Sequence, residues 1–117
     1  MPPIRIATLS HAHGHVNTYC RAIQEFDDVE LVAVWDDVVE RGEKADSEFG
    51  MQYHKTAQDI VADPDVDAVI IGCETNRHAE FVELAAEAGK HILLQKPMAT
   101  TLADCDRIID VVNRTGV

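Results

Sequence analysis

Short β-like apolar runs alternate with helix-length periodic segments from one end of this chain to the other, and few architectures accommodate that alternation. Ile4 to Leu9 is an apolar run closed by a His/Gly loop, and Val16 to Phe26 then has helical character. Glu30 to Trp35 (ELVAVW) is a second strand closed by Asp36-Asp37, and the helix that follows, Val38 to Phe49, is stopped by Gly50, the residue that ends helices most easily. Gln52 to His54 is a brief third strand, and a short helix over Ala57 to Ala62 ends before Asp63-Pro64, where proline disfavours further helix. Ala68 to Ile71 (AVII) is apolar throughout, the pattern of a strand buried on both faces. Arg77 to Ala88 is a helix with Phe81, Leu84, Ala85 and Ala88 on one stripe and Gly89 after it; His91 to Leu94 is a fifth strand and Leu102 to Val112 a last helix. Strands and helices at this spacing predict a doubly wound α/β domain, a parallel sheet between two helical layers joined by right-handed crossovers.

The 117 residues fit one domain spanning positions 1–117, with no linker, repeat or low-complexity stretch. At 46% apolar and 26% charged residues the chain is of ordinary globular composition. Its net charge of −11 argues against a nucleic-acid partner, which needs a basic stripe, and against an anionic membrane surface. The three cysteines, Cys20, Cys73 and Cys105, are odd in number and far apart, which predicts reduced thiols in the cytoplasm rather than a disulfide framework. There is no apolar run of membrane-spanning length, and Met1-Pro2-Pro3-Ile4-Arg5 lacks the apolar core of a signal peptide.

In such sheets ligands bind beyond the carboxyl ends of the strands, where the strand order reverses. Four polar clusters follow strands here: Ser10-His11-Ala12-His13-Gly14-His15, Asp36-Asp37, Gly72-Cys73-Glu74-Thr75-Asn76, and Gln95-Lys96-Pro97. Together they predict a Rossmann-type dinucleotide site. A dinucleotide loop needs small residues so that backbone N–H groups and the helix N-terminus approach the pyrophosphate. The three glycine positions of G-x-G-x-x-G fall on Ser10, Ala12 and His15, with Gly14 one place early; the bare motif is missing, although Ser10 and Ala12 are small. Asp36, 26 residues after Ser10, stands where an acid accepts hydrogen bonds from the adenosine ribose and repels a 2′-phosphate, so NAD is favoured over NADP. The other reading of Asp36 and Asp37 is that the pair merely caps the next helix, and Asp37 is the more expected cap of the two.

The segment Ala88 to Ala99 (AGKHILLQKPMA) resembles the AGKHVLCEKPLA stretch of the Gfo/Idh/MocA family of NAD(P)-dependent oxidoreductases. Gly72 to Glu80, with His78, is similar to that family's segment after the fourth strand, and Val29 to Asp36 and Ala62 to Val69 also follow it. The resemblance runs from Ile4 to Val117, and its Lys-Pro part is the most specific. It implies hydride transfer between nicotinamide and a hydroxyl or carbonyl carbon of a sugar, inositol or similar polyol. It further implies that Lys96 stands near the substrate hydroxyl and the nicotinamide ring, where an ammonium group can steady a developing alkoxide. The cofactor-binding set on this view is residues 10–15, Asp36, residues 73–76 and residues 95–97. Gln95 replaces the family's usual acid before Lys-Pro, Glu74 stands where a proline is common, and a histidine-rich loop replaces the glycines.

His11, His13 and His15 leave three readings open: metal ligation, contact with pyrophosphate or substrate in place of the glycines, or a loop whose imidazoles face solvent or cap the helix. No metal ligand set is assigned. His78, at a helix start, is expected to be a structural hydrogen-bonding residue. The resemblance also implies a second α/β domain carrying the substrate pocket after a sixth strand, and Thr115-Gly116-Val117 falls about where that strand would begin. The chain is therefore expected to be truncated before it, inactive alone, and to leave an unpaired apolar edge on His91 to Leu94 that favours homo-oligomers. Two other function classes compete. A phosphoacceptor receiver domain has similar size and a Lys-Pro after its fifth strand, but it needs paired acids after the first strand and an Asp after the third. Here those places hold Ser10-His11 and Lys55-Thr56. A non-catalytic dinucleotide-binding or regulatory relative would keep the fold while tolerating Gln95.

Overall fold

The computed structural model describes residues 2–117. Five strands, β1 (Ile4–Leu9), β2 (Val29–Trp35), β3 (Gln52–Tyr53), β4 (Ala68–Ile71) and β5 (His91–Leu94), alternate with helices α1 (His15–Ile23), α2 (Val39–Phe49), α3 (Ala57–Ala62), α4 (His78–Glu87) and α5 (Leu102–Thr115). All strand pairs are parallel, in the order β3-β2-β1-β4-β5. The chain winds outward from β1 to β3, then crosses back to lay β4 on the other side of β1. The order therefore reverses between β1 and β4, and this is the doubly wound Rossmann arrangement expected from the sequence.

The two faces of the sheet are covered by different helices. Val34 and Ile70 meet Val16 and Cys20 of α1 and Ala45 and Phe49 of α2 on one face. On the other, Ala7, Leu9, Trp35, Val69 and Ile71 pack with Ile60, Phe81, Val82, Ala85, Ile108 and Val111 from α3, α4 and α5. Alternation along strands sends neighbours to opposite faces, with one interruption. The register passes from Ile6↔Leu31 to Ala7↔Ala33, so Val32 is a bulge and shares the α3–α5 face with Ala33.

Helix ends account for most departures from the sequence expectation; β2 also starts at Val29 rather than Glu30, and β3 ends at Tyr53 rather than His54. α1 closes at Ile23 rather than Phe26, because Glu25 and Phe26 N–H groups bond back three residues, to Ala22 and Ile23, in a tightened turn; Phe26 is left 60% exposed. Residues Thr75–Arg77 form a 3-10 turn and α4 begins at His78, not Arg77. α5 continues past Val112 to Thr115, whose hydroxyl donates to the Val111 carbonyl. Gly50 ends α2 in the left-handed region (φ 68°), as its position requires. No helix among the described residues is long and apolar enough to cross a membrane.

Candidate dinucleotide site

The carboxyl ends of β1, β2, β4 and β5 bring the four polar clusters to one edge, at the β1/β4 reversal. The first turn there is made without a glycine. Ser10 takes the left-handed backbone (φ 74°) that glycine adopts freely. Its N–H donates to the Trp35 carbonyl (2.7 Å) and its hydroxyl accepts the Ala12 N–H (3.1 Å). Those two bonds hold a conformation that costs an L-residue roughly 1–2 kcal/mol. The close approach of α1 to the sheet is supplied from the opposite strand. Gly72 follows β4, and a Cβ there would lie 2.1 Å from Val16 Cγ2 and 2.9 Å from the Ser10 carbonyl oxygen. The Gly72 carbonyl in turn accepts the His13 N–H (3.0 Å).

The three histidines have different fates. The His11 ring turns inward and is buried: Nδ1–H donates to Asn17 Oδ1 (2.8 Å), leaving Nε2 to accept from the Thr8 hydroxyl (2.8 Å). Burial holds its pKa below the ordinary 6.5, against the Asn17 bond and the Asp36 charge, which raise it. His13 and His15 stay at the rim with ring centroids 4.5 Å apart. His13 Nδ1 accepts the His15 N–H (3.1 Å). No group of three or more His, Cys, Asp or Glu side chains able to hold a metal ion occurs among the described residues. Among those residues the Gly14 N–H, at the N-terminus of α1, is left without a hydrogen-bond partner, whereas the N–H groups of His11, Ala12, His13 and His15 are taken up within the protein.

Asp36 is the most heavily bonded side chain of the site and is 1% exposed. Oδ2 accepts the His11 N–H (2.8 Å), Oδ1 accepts the Val38 N–H (2.9 Å), and Arg41 forks onto both oxygens, Nε at 3.1 Å from each and Nη2 at 2.9 Å from Oδ1. Burial raises its pKa, but the Arg41 guanidinium and the two backbone N–H groups outweigh that and hold the carboxyl below its usual range. The expected capping role of Asp37 is not observed. Asp36 takes the Val38 N–H, and the Asp37 carboxylate instead pairs with Arg41 (3.2 Å) and Arg77 (3.0 Å). The reason is reach: two residues before Val38, Asp36 closes the side-chain turn itself. Arg77 also contacts Glu74 and Glu80 and lies over the Phe81 ring, 5.0 Å from its centroid.

Of the β4-loop residues, Glu74, Thr75 and Asn76 reach the surface or its rim, but the Cys73 thiol does not. It lies in the α3–α5 core, where burial pushes its pKa up to about 12. Cys73 contributes its carbonyl, which faces His78 Nε2 (3.1 Å), while His78 Nδ1 faces the Met98 carbonyl (3.1 Å). The buried ring thus links the β4 loop to the segment after Pro97. Lys96 and Pro97 are exposed and joined by a cis peptide bond. Gln95 is buried, its Oε1 accepting from the Tyr19 hydroxyl (2.7 Å) and its Nε2 donating to His15 Nδ1 (3.2 Å). An amide can accept from the tyrosine and donate to the imidazole at once; Gln95 and His15 fit each other.

A cleft of about 230 Å³ lies between the first loop and the β4 loop, lined by Ala12, His13, Arg41, Cys73, Glu74 and Thr75. The sequence reading missed Arg41, Asn17 and Tyr19. Arg41 had a faint signal, one helical turn past the acid pair; Asn17 and Tyr19 had none, since their roles depend on which way His11 and Gln95 turn.

A strand-order reversal, a left-handed first turn, an acid after β2 and a free N–H at a helix start define a dinucleotide-binding Rossmann domain. The model of the oxidoreductase family with an NAD-binding Rossmann fold, Gfo/Idh/MocA, matches residues 13–117. A myo-inositol 2-dehydrogenase of Thermotoga maritima is 32% identical over 106 residues, 89% of this chain and 32% of that protein. Among solved structures, the WlbA dehydrogenase from Bordetella pertussis in complex with NADH and UDP-GlcNAcA superposes with a TM-score of 0.92 at 26% identity, over 99% of this chain and 34% of that one. A 3-ketoreductase from Actinomadura kijaniata in complex with NADP and TDP-benzene gives 0.88 at 26% identity, over 98% and 35%. This chain belongs to the Gfo/Idh/MocA oxidoreductases. It spans about a third of the length of the curated relatives it matches.

Proposed function

We propose that residues 10–15, Asp36, residues 73–76 and residues 95–97 bind a dinucleotide across the β1/β4 reversal, as the cofactor half of a dehydrogenase or reductase. The observation that carries this is the arrangement of the first loop. The left-handed Ser10 and the close approach at Gly72 bring the α1 N-terminus, with its free Gly14 N–H, beside a cleft bordered by Arg41, whose guanidinium is bonded to Asp36. A helix N-terminus and a free N–H suit a pyrophosphate. NAD is favoured over NADP. Four carboxylates (Asp36, Asp37, Glu74, Glu80) face two guanidinium groups (Arg41, Arg77) around the adenosine end, a formal balance of −2 that disfavours a 2′-phosphate.

The bound nicotinamide would accept or donate the hydride. Lys96, exposed beside the buried Gln95 anchor, is the catalytic residue: its Nζ donates to the substrate oxygen and stabilises alkoxide character there. Substrate binding and the remaining acid–base groups fall to residues outside this chain, and the substrate class is a sugar, inositol or related polyol, as the relatives' names suggest. We also place the protein in the cytoplasm, on its unpaired cysteines, without a nucleic-acid or membrane partner. It self-associates through β5, the last strand of the sheet, beside an apolar cleft of about 360 Å³ that includes Ile6, Ile23, Ile92 and Leu93. Light scattering that finds only monomers at high concentration refutes the association.

Titration calorimetry with NADH tests the central reading. Saturable binding to the chain is expected, weakened at least ten-fold by Asp36→Ala, given two hydrogen bonds to a charged acceptor. Absence of any NADH binding refutes it.

A further inference from the structure

We propose that Arg41 is a specificity gate at the adenosine end of this site, occupying the acceptor edge of Asp36 until a dinucleotide displaces it and thereby limiting the preference for NAD over NADP. The proposal rests on the dinucleotide reading above and concerns a residue that reading does not require.

The case begins with acceptor capacity. A carboxylate offers about four lone-pair sites. At Asp36 two are taken by backbone N–H groups that the fold cannot withdraw without undoing the first loop and the α2 entry. Arg41 takes the rest. With the side chain fully buried, ribose hydroxyls gain access to the carboxylate only where the guanidinium now sits.

Arg41 is built to leave. Its side chain is 34% exposed, and it forms the wall between two clefts. One is the 230 Å³ cleft beside the first loop; the other, about 200 Å³, is lined by His11, Asn17, Lys44, Ala45 and Glu48. A second carboxylate already waits for it, since Nη2 is 3.2 Å from Asp37 Oδ1. Withdrawal from Asp36 therefore leaves Arg41 with the Asp37 pair it already makes, while the buried Asp36 carboxylate keeps its two backbone N–H donors and takes the ribose hydroxyls in place of the guanidinium. The displaced guanidinium stays within a side-chain length of Asp36, where a 2′-phosphate would lie, and a planar guanidinium suits phosphate. The same residue competes with NAD for Asp36 and supplies a cation to NADP. Both effects narrow the preference.

The test is equilibrium binding of NADH and NADPH to the chain, read by nicotinamide fluorescence, for wild type, Arg41→Gln and Arg41→Lys, with thermal melts alongside. Arg41→Gln is expected to tighten NADH, weaken NADPH, and raise the ratio of the two dissociation constants about ten-fold or more, the worth of a hydrogen bond to a charged group. Arg41→Lys keeps a cation but loses the fork, so NADH tightens while NADPH is retained; it also keeps a charge beside Asp36 if the glutamine variant folds poorly. A merely structural arginine would not improve NADH binding on removal. NADH affinity that is unchanged or weaker in folded variants overturns the gate while leaving the dinucleotide reading intact. Failure of wild type to bind either cofactor overturns both.

Discussion

Replacing Gly72 by alanine adds one methyl group at the junction of β4, β1 and α1. The new Cβ would stand 2.1 Å from Val16 Cγ2 and 2.9 Å from the Ser10 carbonyl oxygen, against an ordinary carbon–carbon separation of about 3.5–4.0 Å. Val16 would have to retreat by about 1.4 Å. It is fully buried on the first turn of α1, and a β-branched side chain in a helix has essentially one rotamer, so the retreat must move the helix. The Ser10 carbonyl belongs to the backbone of a left-handed residue held by two hydrogen bonds and has no more freedom. Overpacking of this kind costs about 3 kcal/mol, the upper end of the usual range, or a fall in Tm of roughly 10 °C for a domain of this size. The attribution is checked by a cycle with Val16→Ala, which removes the clashing methyl groups. The double variant should be more stable than the sum of the single effects predicts by at least about 1 kcal/mol, the scale for directly contacting residues. A Gly72→Ala protein that melts within a degree or two of wild type, or a cycle that closes additively, refutes the claim that Gly72 replaces the missing loop glycine as the point of close approach.

Acid should destabilise the fold in two stages. His11 binds its proton less readily folded than unfolded, so its contribution is present above pH 6.5 and is lost as pH falls below it; Asp36, also depressed, contributes above 3.8 and loses that contribution further down. Urea denaturation against pH should show the upper stage disappear in His11→Gln. Lys90 is buried with Nζ 2.7 Å from the Asp63 carbonyl and 2.6 Å from that of Val66; Lys90→Met should cost about 2–4 kcal/mol by denaturant titration, since two carbonyls lose a charged donor. In a protein that also carries the substrate-binding residues, Lys96→Met should lower kcat at least about 100-fold, the usual scale for a general acid–base group. NADH affinity should stay within a few-fold, and a comparable loss of NADH binding would count against a chemical role.

The bounds of β1, α3, β4 and β5 were legible to the residue because each is an apolar or periodic run stopped by an unambiguous signal: Ser10 and its His/Gly loop, Asp63-Pro64, Gly72, Gln95-Lys96-Pro97. Helix ends with weaker signals slipped by a few residues, as at Phe26, apolar enough to suggest a continuing helix yet left in solvent. The strand-end rule placed the four polar clusters at one edge of the sheet. What it could not show was orientation. Three alternating histidines look equivalent in the sequence, but His11 faces the core, because Thr8 and Asn17 offer it one donor and one acceptor, while His13 and His15 remain at the rim. Cys73 was expected at the site through its position and contributes a carbonyl rather than a thiol. The Asp36–Arg41 fork depends on the angle between β2 and α2, and no local pattern specifies it.

The loss of the glycine fingerprint need not mean the loss of the site, because each job of a glycine is done here by something else. The first turn is made by Ser10, its left-handed backbone stabilised by its own hydroxyl. The close approach of helix to sheet is moved across to Gly72, just after β4. The third position, bulky with His15, projects to the rim, where its ring meets Gln95 instead of a packing surface. These substitutions are coupled. His15 Nδ1 pairs with the amide at position 95, so the histidine-rich loop and the departure from the acidic residue before Lys-Pro meet in one hydrogen bond. Tyr19, one turn along α1 from His15, completes it by donating to the other end of the amide. The first loop is thereby tied to the residue beside Lys96, so the conformation of that loop and the position of the lysine depend on the same three side chains.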